Sequence, residues 1–213
     1  MDENRFRLDI VEIGKRMYEK NYVASNDGNI SIRISDEELL ITPSGVSKGY
    51  MSPGDILKVD MEGNLLEGCL KPSSEMKMHL EVYKKRPDVF AVVHAHPQKA
   101  TAFAVANKCF DKVTLPEIIF SLGKVSLAEY GTPTTYQVPE AVARHIVESD
   151  ALLLANHGAL TVGKDIYDAY YKMETLEHFA AISIYARQLG GEVALGEDEI
   201  KRLFAIRSSV YGK

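Results

Sequence analysis

The chain has 213 residues, 46% of them apolar, and a formal net charge of -5. That length and apolar share suit one substantial core, so residues 1–213 are expected to form a single domain. An acidic balance with scattered Lys and Arg excludes the basic face of a nucleic-acid binder, but not a small anionic ligand held by backbone N–H groups.

The first residues, MDENRFRLDIV, are charged where a signal peptide would be apolar. No apolar run approaches the roughly 18 residues that span a bilayer. Cys69 and Cys109 form no CxxC pair and read as free thiols, so a cytoplasmic protein is expected.

In chain order, Phe6, Ile10, Ile13 and Met17 recur at the spacing of an amphipathic helix over residues 3 to 20. NISIRIS and ELLITP are short and alternate, which predicts two strands, with turns at SNDGN and TPSG. DILKVDMEGNL reads as a strand, a turn at EGN and a return strand. SSEMKMHLEVYKKR is a helix with serines to cap its start and basic residues in its last turn. VFAVVHAH is a strand, and a helix opens after it at Pro97. KVSLAEY, PEAVARHIVES and ALLLANHG predict a strand, a helix and a fully apolar strand. From about Asp165 the chain is mostly helical, and the stretch through ARQLGG ends on a Gly pair suited to stopping a helix. Nothing in this alternation is a repeat or a linker. Its hairpin-like strand pairs point to an α/β domain with a substantially antiparallel sheet.

Side chains at i and i+2 of a strand share a face, so His94 and His96 point the same way from the end of an apolar strand. Two such imidazoles suit a shared divalent cation; spacing alone leaves open a packed core histidine and a loop cap instead. His157, in LLLANHGAL, stands after a second apolar strand and before a Gly that permits close approach. Three such histidines can supply the protein ligands of an open catalytic zinc site. His145 and His178 fall on helices and read as surface or packing residues. His79 shares a helical face with Glu75 and reads as packing or as support behind a site.

Glu75, in KPSSEMKMH, reads in two ways. It complements a helix dipole beside a Ser73 or Ser74 cap, or it is a general base near a metal. SNDGNIS and TPSGVS are ordinary turns taken singly. With PSSE they make three donor-rich segments able to surround a phosphate without arginine. No Walker A loop or GxGxxG occurs, so nucleotide binding is not expected.

The segments GNIS, TPSG, PSSE, HAH and NHG, in that order across nearly the whole chain, resemble the class II aldolase/adducin family. The resemblance implies a three-layer domain with a mostly antiparallel central sheet flanked by helices, assembled as a homotetramer with active sites between subunits. It implies Zn2+, or Mn2+ or Co2+ in its place, on His94, His96 and His157. Glu75 is by the same likeness the catalytic acid/base and an additional metal ligand before substrate arrives. Gly28, Asn29, Ser44, Gly45, Ser73 and Ser74 fall on the family's phosphate-binding positions. The implied reaction is reversible cleavage of a ketose 1-phosphate, such as L-fuculose 1-phosphate or a deoxy- or alkylthio-pentulose 1-phosphate, to dihydroxyacetone phosphate and a short aldehyde. The metal stabilises an enediolate and Glu75 moves its proton, with no Schiff-base lysine.

Other branches of the family give contrasts. Its pentulose-phosphate 4-epimerases carry Asp after the paired serines, so Glu75 favours carbon–carbon cleavage. Phe120, in LPEIIFSLG, aligns with a tyrosine that serves the aldehyde side and cannot transfer a proton, which leaves Tyr130 or Tyr211 as substitutes. Glu117 is either an acidic loop residue after a proline or, by likeness to methylthioribulose-1-phosphate dehydratases, a second catalytic proton carrier. A non-catalytic scaffold such as adducin's head domain has no reason to keep three ligands, the base and the cradle together.

Overall fold

The computed structural model describes residues 2–110 and 112–211, which form eight strands and seven α-helices. Helix α1 (Glu3–Glu19) starts where Asp2 accepts the Arg5 N–H, and its predicted apolar stripe is buried at Ile10, Ile13 and Met17. Strands β1 (Asn29–Arg33), β2 (Glu38–Ile41), β3 (Leu57–Asp60) and β4 (Leu65–Glu67) follow as an antiparallel meander. Helix α2 (Met76–Lys85) leads to β5 (Ala91–Ala95), which pairs with β1 and reaches the centre of the sheet.

Helices α3 (Gln98–Val105) and α4 (Pro116–Ser121) precede β6 (Val125–Ala128), and α5 (Gln137–His145) precedes β7 (Ala151–Leu154). Strand β8 (Gly158–Gly163) then returns between β7 and β5, and α6 (Ile166–Gln188) and α7 (Glu197–Tyr211) complete the chain. The sheet order is β4-β3-β2-β1-β5-β8-β7-β6, and only β6 and β7 run parallel. The intervening α5 supplies the crossover that a parallel pair requires. A mostly antiparallel α/β sheet was the expectation, and the structure has it.

One boundary differs from the sequence reading. ALLLANHG and the GALTVG that follows are two strands, β7 and β8, joined by a turn over residues 155–157 with Asn156 left-handed at φ 55. Both strands are buried on both faces, so no alternation marks where one ends and the next begins.

Two cores flank the sheet. Ile30, Ile32, Ala91, Val93 and Ala159 face α1, α3 and α6, while Leu39, Val92, Leu152 and Leu160 face α2 and α5. Each fully buried leucine or isoleucine contributes about 1.5–3 kcal/mol. β1 departs from this pattern. Its row toward α2 is Asn29, Ser31 and Arg33, all buried and all polar. Register sets Asn29 directly opposite His94, on the central strand. The polar row therefore lies beside the predicted ligands.

Candidate active site and metal centre

The strand β5 ends in His94 and His96, and the β7–β8 turn delivers His157 next to them. One nitrogen from each ring lies within 4.8 Å of the others. Gly158 makes this packing possible, because a Cβ there would stand 2.5 Å from His96 Cδ2 and 2.6 Å from the Ala95 carbonyl oxygen. His94 is fully buried, and its Nδ1–H donates to the Ala159 carbonyl at 2.9 Å, which turns Nε2 toward the centre. His96 Nε2 lies 3.2 Å from His94 Nε2, and its other nitrogen, Nδ1, is 3.4 Å from an Asp27 carboxylate oxygen.

Glu75 completes the cluster. The expectation that it opens α2 is corrected by one residue: it occupies the N-cap, with φ -101 and ψ 10, and its side chain caps nothing. The carboxylate is turned instead to the imidazoles, with Oε2 at 3.2 Å from His94 Nε2 and Oε1 at 3.1 Å from His157 Nε2. Oε1 is buried and makes no hydrogen bond. Burial would raise the Glu75 carboxyl, but the charge of His94 and the approach of His157 hold it far below the usual carboxylate range. Burial likewise pulls His94 down, and Glu75 outweighs it, so His94 sits above its ordinary value. His96 is pushed down to about 4 by burial and by the facing His94 and His157.

Three convergent ring nitrogens and a carboxylate oxygen without a donor form a set that a divalent cation satisfies. A donor set of three imidazole nitrogens and a carboxylate oxygen suits zinc. The residues present therefore fit the metal that the resemblance implies.

The three donor-rich segments meet at one side of this cluster. Ser44 N–H donates to the Lys71 carbonyl at 2.9 Å and Ser73 N–H to the Thr42 carbonyl at 3.2 Å, so TPSG and KPSS run side by side. Lys48 ties in the remaining segment. Its buried Nζ donates to the carbonyls of Asn26 at 3.1 Å and Val46 at 2.7 Å, and burial pushes it down to about 8. Gly28 is left-handed at φ +72, with its α-carbon packed so close that a Cβ would be 2.9 Å from the His94 carbonyl oxygen. Gly45, also left-handed, borders open space. Ser44, Gly45 and Ser74 are exposed and Ser73 is buried. Two of the six have side chains engaged within the protein: Asn29 bonds to Glu75 and to His79, and Ser73 Oγ accepts the Glu75 N–H at 3.3 Å.

Glu117 is not brought to the cluster. It stands exposed in the first turn of α4, a helix packed on α6 and α7. Phe120 lines a cavity with Ser121, Asp150, Lys172 and Arg207, none of them cluster residues. Tyr130 is exposed, and the side chain of Tyr211 lies outside the described residues. Three features escaped the sequence reading: Asp27 behind His96, Lys48 between the loops, and a cavity of about 10 Å³ where Thr134 and Thr135 meet Ser74, Glu75 and Lys77. Thr134 is left-handed at φ 68, a strained conformation for a β-branched residue.

Residues 8–184 match the family model described as the class II aldolase and adducin N-terminal domain. An L-fuculose phosphate aldolase of Methanococcus maripaludis is 37% identical over 182 residues, spanning 85% of this chain and 97% of its own. A 3-oxo-tetronate 4-phosphate decarboxylase of Haemophilus influenzae is 36% identical over 178 residues, covering 81% of this chain and 84% of its own. The solved structure of an L-fuculose 1-phosphate aldolase superposes with a TM-score of 0.88 at 30% identity, covering 95% of each chain. The histidine cluster, Glu75 and the three donor-rich segments all lie inside the matched region, and the chain belongs to the class II aldolase and adducin family as one of its aldehyde-lyase enzymes.

Proposed function

We propose that this protein is a zinc-dependent aldolase that reversibly cleaves a ketose 1-phosphate to dihydroxyacetone phosphate and a short aldehyde. Its substrate is L-fuculose 1-phosphate or a related deoxy- or alkylthio-pentulose 1-phosphate. It acts in the cytoplasm as a homotetramer with active sites between subunits; no described helix is long and apolar enough to cross a membrane. The observation that carries the reading is Glu75: a largely buried carboxylate against two of three convergent imidazoles, with one buried oxygen making no hydrogen bond.

His94, His96 and His157 would hold the metal, with Glu75 as a further ligand before substrate arrives. A bound zinc ion supplies Lewis-acid stabilisation of the negative charge that develops at the substrate carbonyl during bond cleavage. The other roles fall to the chain. Gly28, Ser44, Gly45, Ser73 and Ser74 orient the phosphate, and Asn29 contributes through its hold on Glu75. In cleavage, the C4 hydroxyl loses its proton, the C3–C4 electron pair passes to C3, and Glu75 delivers a proton to C3. The C4 proton is taken on the aldehyde side, where Glu117, Tyr130 and Tyr211 are the residues available. Glu117 acts there only from a neighbouring subunit, since within the chain it stands apart from the cluster.

One relative favours a second reading. Loss of carbon dioxide from a 3-oxo acid phosphate leaves the same kind of enediolate for Glu75 to protonate, and the Haemophilus influenzae protein is named for that reaction.

A coupled assay for dihydroxyacetone phosphate decides between them. L-Fuculose 1-phosphate, 5-deoxyribulose 1-phosphate and methylthioribulose 1-phosphate are offered to wild type and Glu75→Gln, with and without chelator. The expected result is release that chelator abolishes and that falls at least about 100-fold in Glu75→Gln. No release, with carbon dioxide evolved from a 3-oxo acid phosphate, moves the protein to the second reading. Epimerised ribulose 5-phosphate or dehydrated methylthioribulose 1-phosphate would instead assign it to those branches.

A further inference from the structure

Five side chains form one hydrogen-bonded line from the core to the active site. Tyr83 Oη is 2.8 Å from Ser31 Oγ, which is 2.6 Å from His79 Nδ1. His79 Nε2 is 2.6 Å from Asn29 Oδ1, and Asn29 Nδ2 is 2.8 Å from Glu75 Oε2. Ser31 and His79 are fully buried, and Tyr83 and Asn29 expose only 2% and 3%. These contacts join the polar row of β1 to one face of α2, where Glu75, His79 and Tyr83 recur four apart.

The chemistry of each group fixes the direction of the line. An ionised carboxylate only accepts, so Asn29 must turn Nδ2 to Glu75 and Oδ1 to His79. That amide oxygen only accepts, so His79 must present Nε2–H. Burial, with His94 near, pushes His79 down to about 3, so the ring is neutral and its Nδ1 carries no proton. Nδ1 therefore accepts from Ser31 O–H, whose oxygen accepts from Tyr83 O–H. Every donor along the line points toward Glu75.

We propose that this one-way chain fixes the tautomer of His79 so that Asn29 holds Glu75 by Oε2 and leaves Oε1 to carry the catalytic proton. His79, Ser31 and Tyr83 are positioning residues. The inference rests on the role of Glu75 as acid/base given above. Without the Ser31 hydroxyl, no donor faces Nδ1, and the proton is held on Nε2 by the Asn29 amide oxygen alone. The other tautomer turns a bare Nε2 to Asn29, the amide rotates to donate to it, and the amide oxygen then faces the carboxylate and displaces it.

Two measurements test this. The first is the pair of ring ¹⁵N shifts of His79 in the metal-free protein, identified by comparison with His79→Gln. Wild type is expected to show Nε2 protonated and Nδ1 bare; a proton on Nδ1 overturns the proposal without reference to activity. The second is exchange of the hydroxymethyl proton of dihydroxyacetone phosphate in D₂O, followed by NMR, in wild type and Ser31→Ala at equal metal content. Exchange is expected to fall roughly 10- to 100-fold in Ser31→Ala. Exchange at the wild-type rate means a purely structural chain, and overturns the proposal. A metal-loaded wild type that exchanges nothing overturns the aldolase reading and the catalytic half of this proposal together, while the ¹⁵N shifts still decide the direction of the chain.

Discussion

Gly158 measures how little room the histidine cluster leaves. A methyl group there would press on the His96 ring and the Ala95 carbonyl at once, and the carbonyl belongs to a paired strand that cannot move aside. The ring must therefore yield. Gly158→Ala is expected to weaken zinc binding roughly 10- to 100-fold, read by competition against a metal indicator, while unfolding stability falls by about 1–3 kcal/mol. Unchanged zinc affinity would show that the ring is free to turn. His94, His96 and His157 were half legible in the sequence: their places at the ends of apolar strands suit a shared cation but also a core histidine or a loop cap, and the order of motifs tipped the balance. Glu75 was legible only through the order of motifs, since a carboxylate beside a helix start is commonplace. Asp27 and Lys48 were not. Their roles depend on which loops meet in space, and local spacing says nothing about that.

Within the elements, periodicity settled most of the architecture and failed where burial removed it. The β7–β8 boundary vanished because both strands are buried on both faces. The contact of β1 with α2 was half visible: Glu75 and His79 share a helical face, while the polar row of β1 hides inside an alternation that reads as solvent-facing. Burying that row has a consequence for pH. His79 is pushed down to about 3 and His96 to about 4, against about 6.5 in the unfolded chain. Folded-state values below the unfolded ones give stability that is present above pH ~6.5 and lost as the pH falls. His94 is shifted the other way and affects only the range above pH ~6.5, because below it both states carry its proton. The metal-free protein is thus expected to lose up to about 1.4 kcal/mol per pH unit for each of His79 and His96 between pH ~6.5 and ~4.5. Urea melts at pH 7, 6 and 5 check this. A His79→Gln variant should show about half the slope, and an unchanged slope would mean that His79 is not buried neutral.

Across the whole molecule, chemistry and stability are kept at opposite ends of the sheet. At the far end of β7 from His157, the buried Asp150 receives Arg86 at 2.9 Å and Lys172 at 3.1 Å, with Arg207 of α7 at 3.8 Å. Removing the carboxylate strands buried cations. Asp150→Ala is expected to cost about 3–5 kcal/mol in denaturant unfolding and to leave zinc affinity unchanged. A parallel loss of zinc affinity would show that the two ends are mechanically linked.

The position of β5 also constrains how the protein is made. His94 and His157 are distant in the chain and become neighbours only once β5 has paired with β8, and Asn29 joins them only once β1 has paired with β5. Such non-local pairings are the slow events of folding, and each must close a long loop before any contact rewards it. An unfolded chain offers a cation little more than the two imidazoles of the HAH segment. The metal consequently cannot nucleate this fold. It binds to a finished sheet, and its retention by a preparation reports that the last strand has found its place.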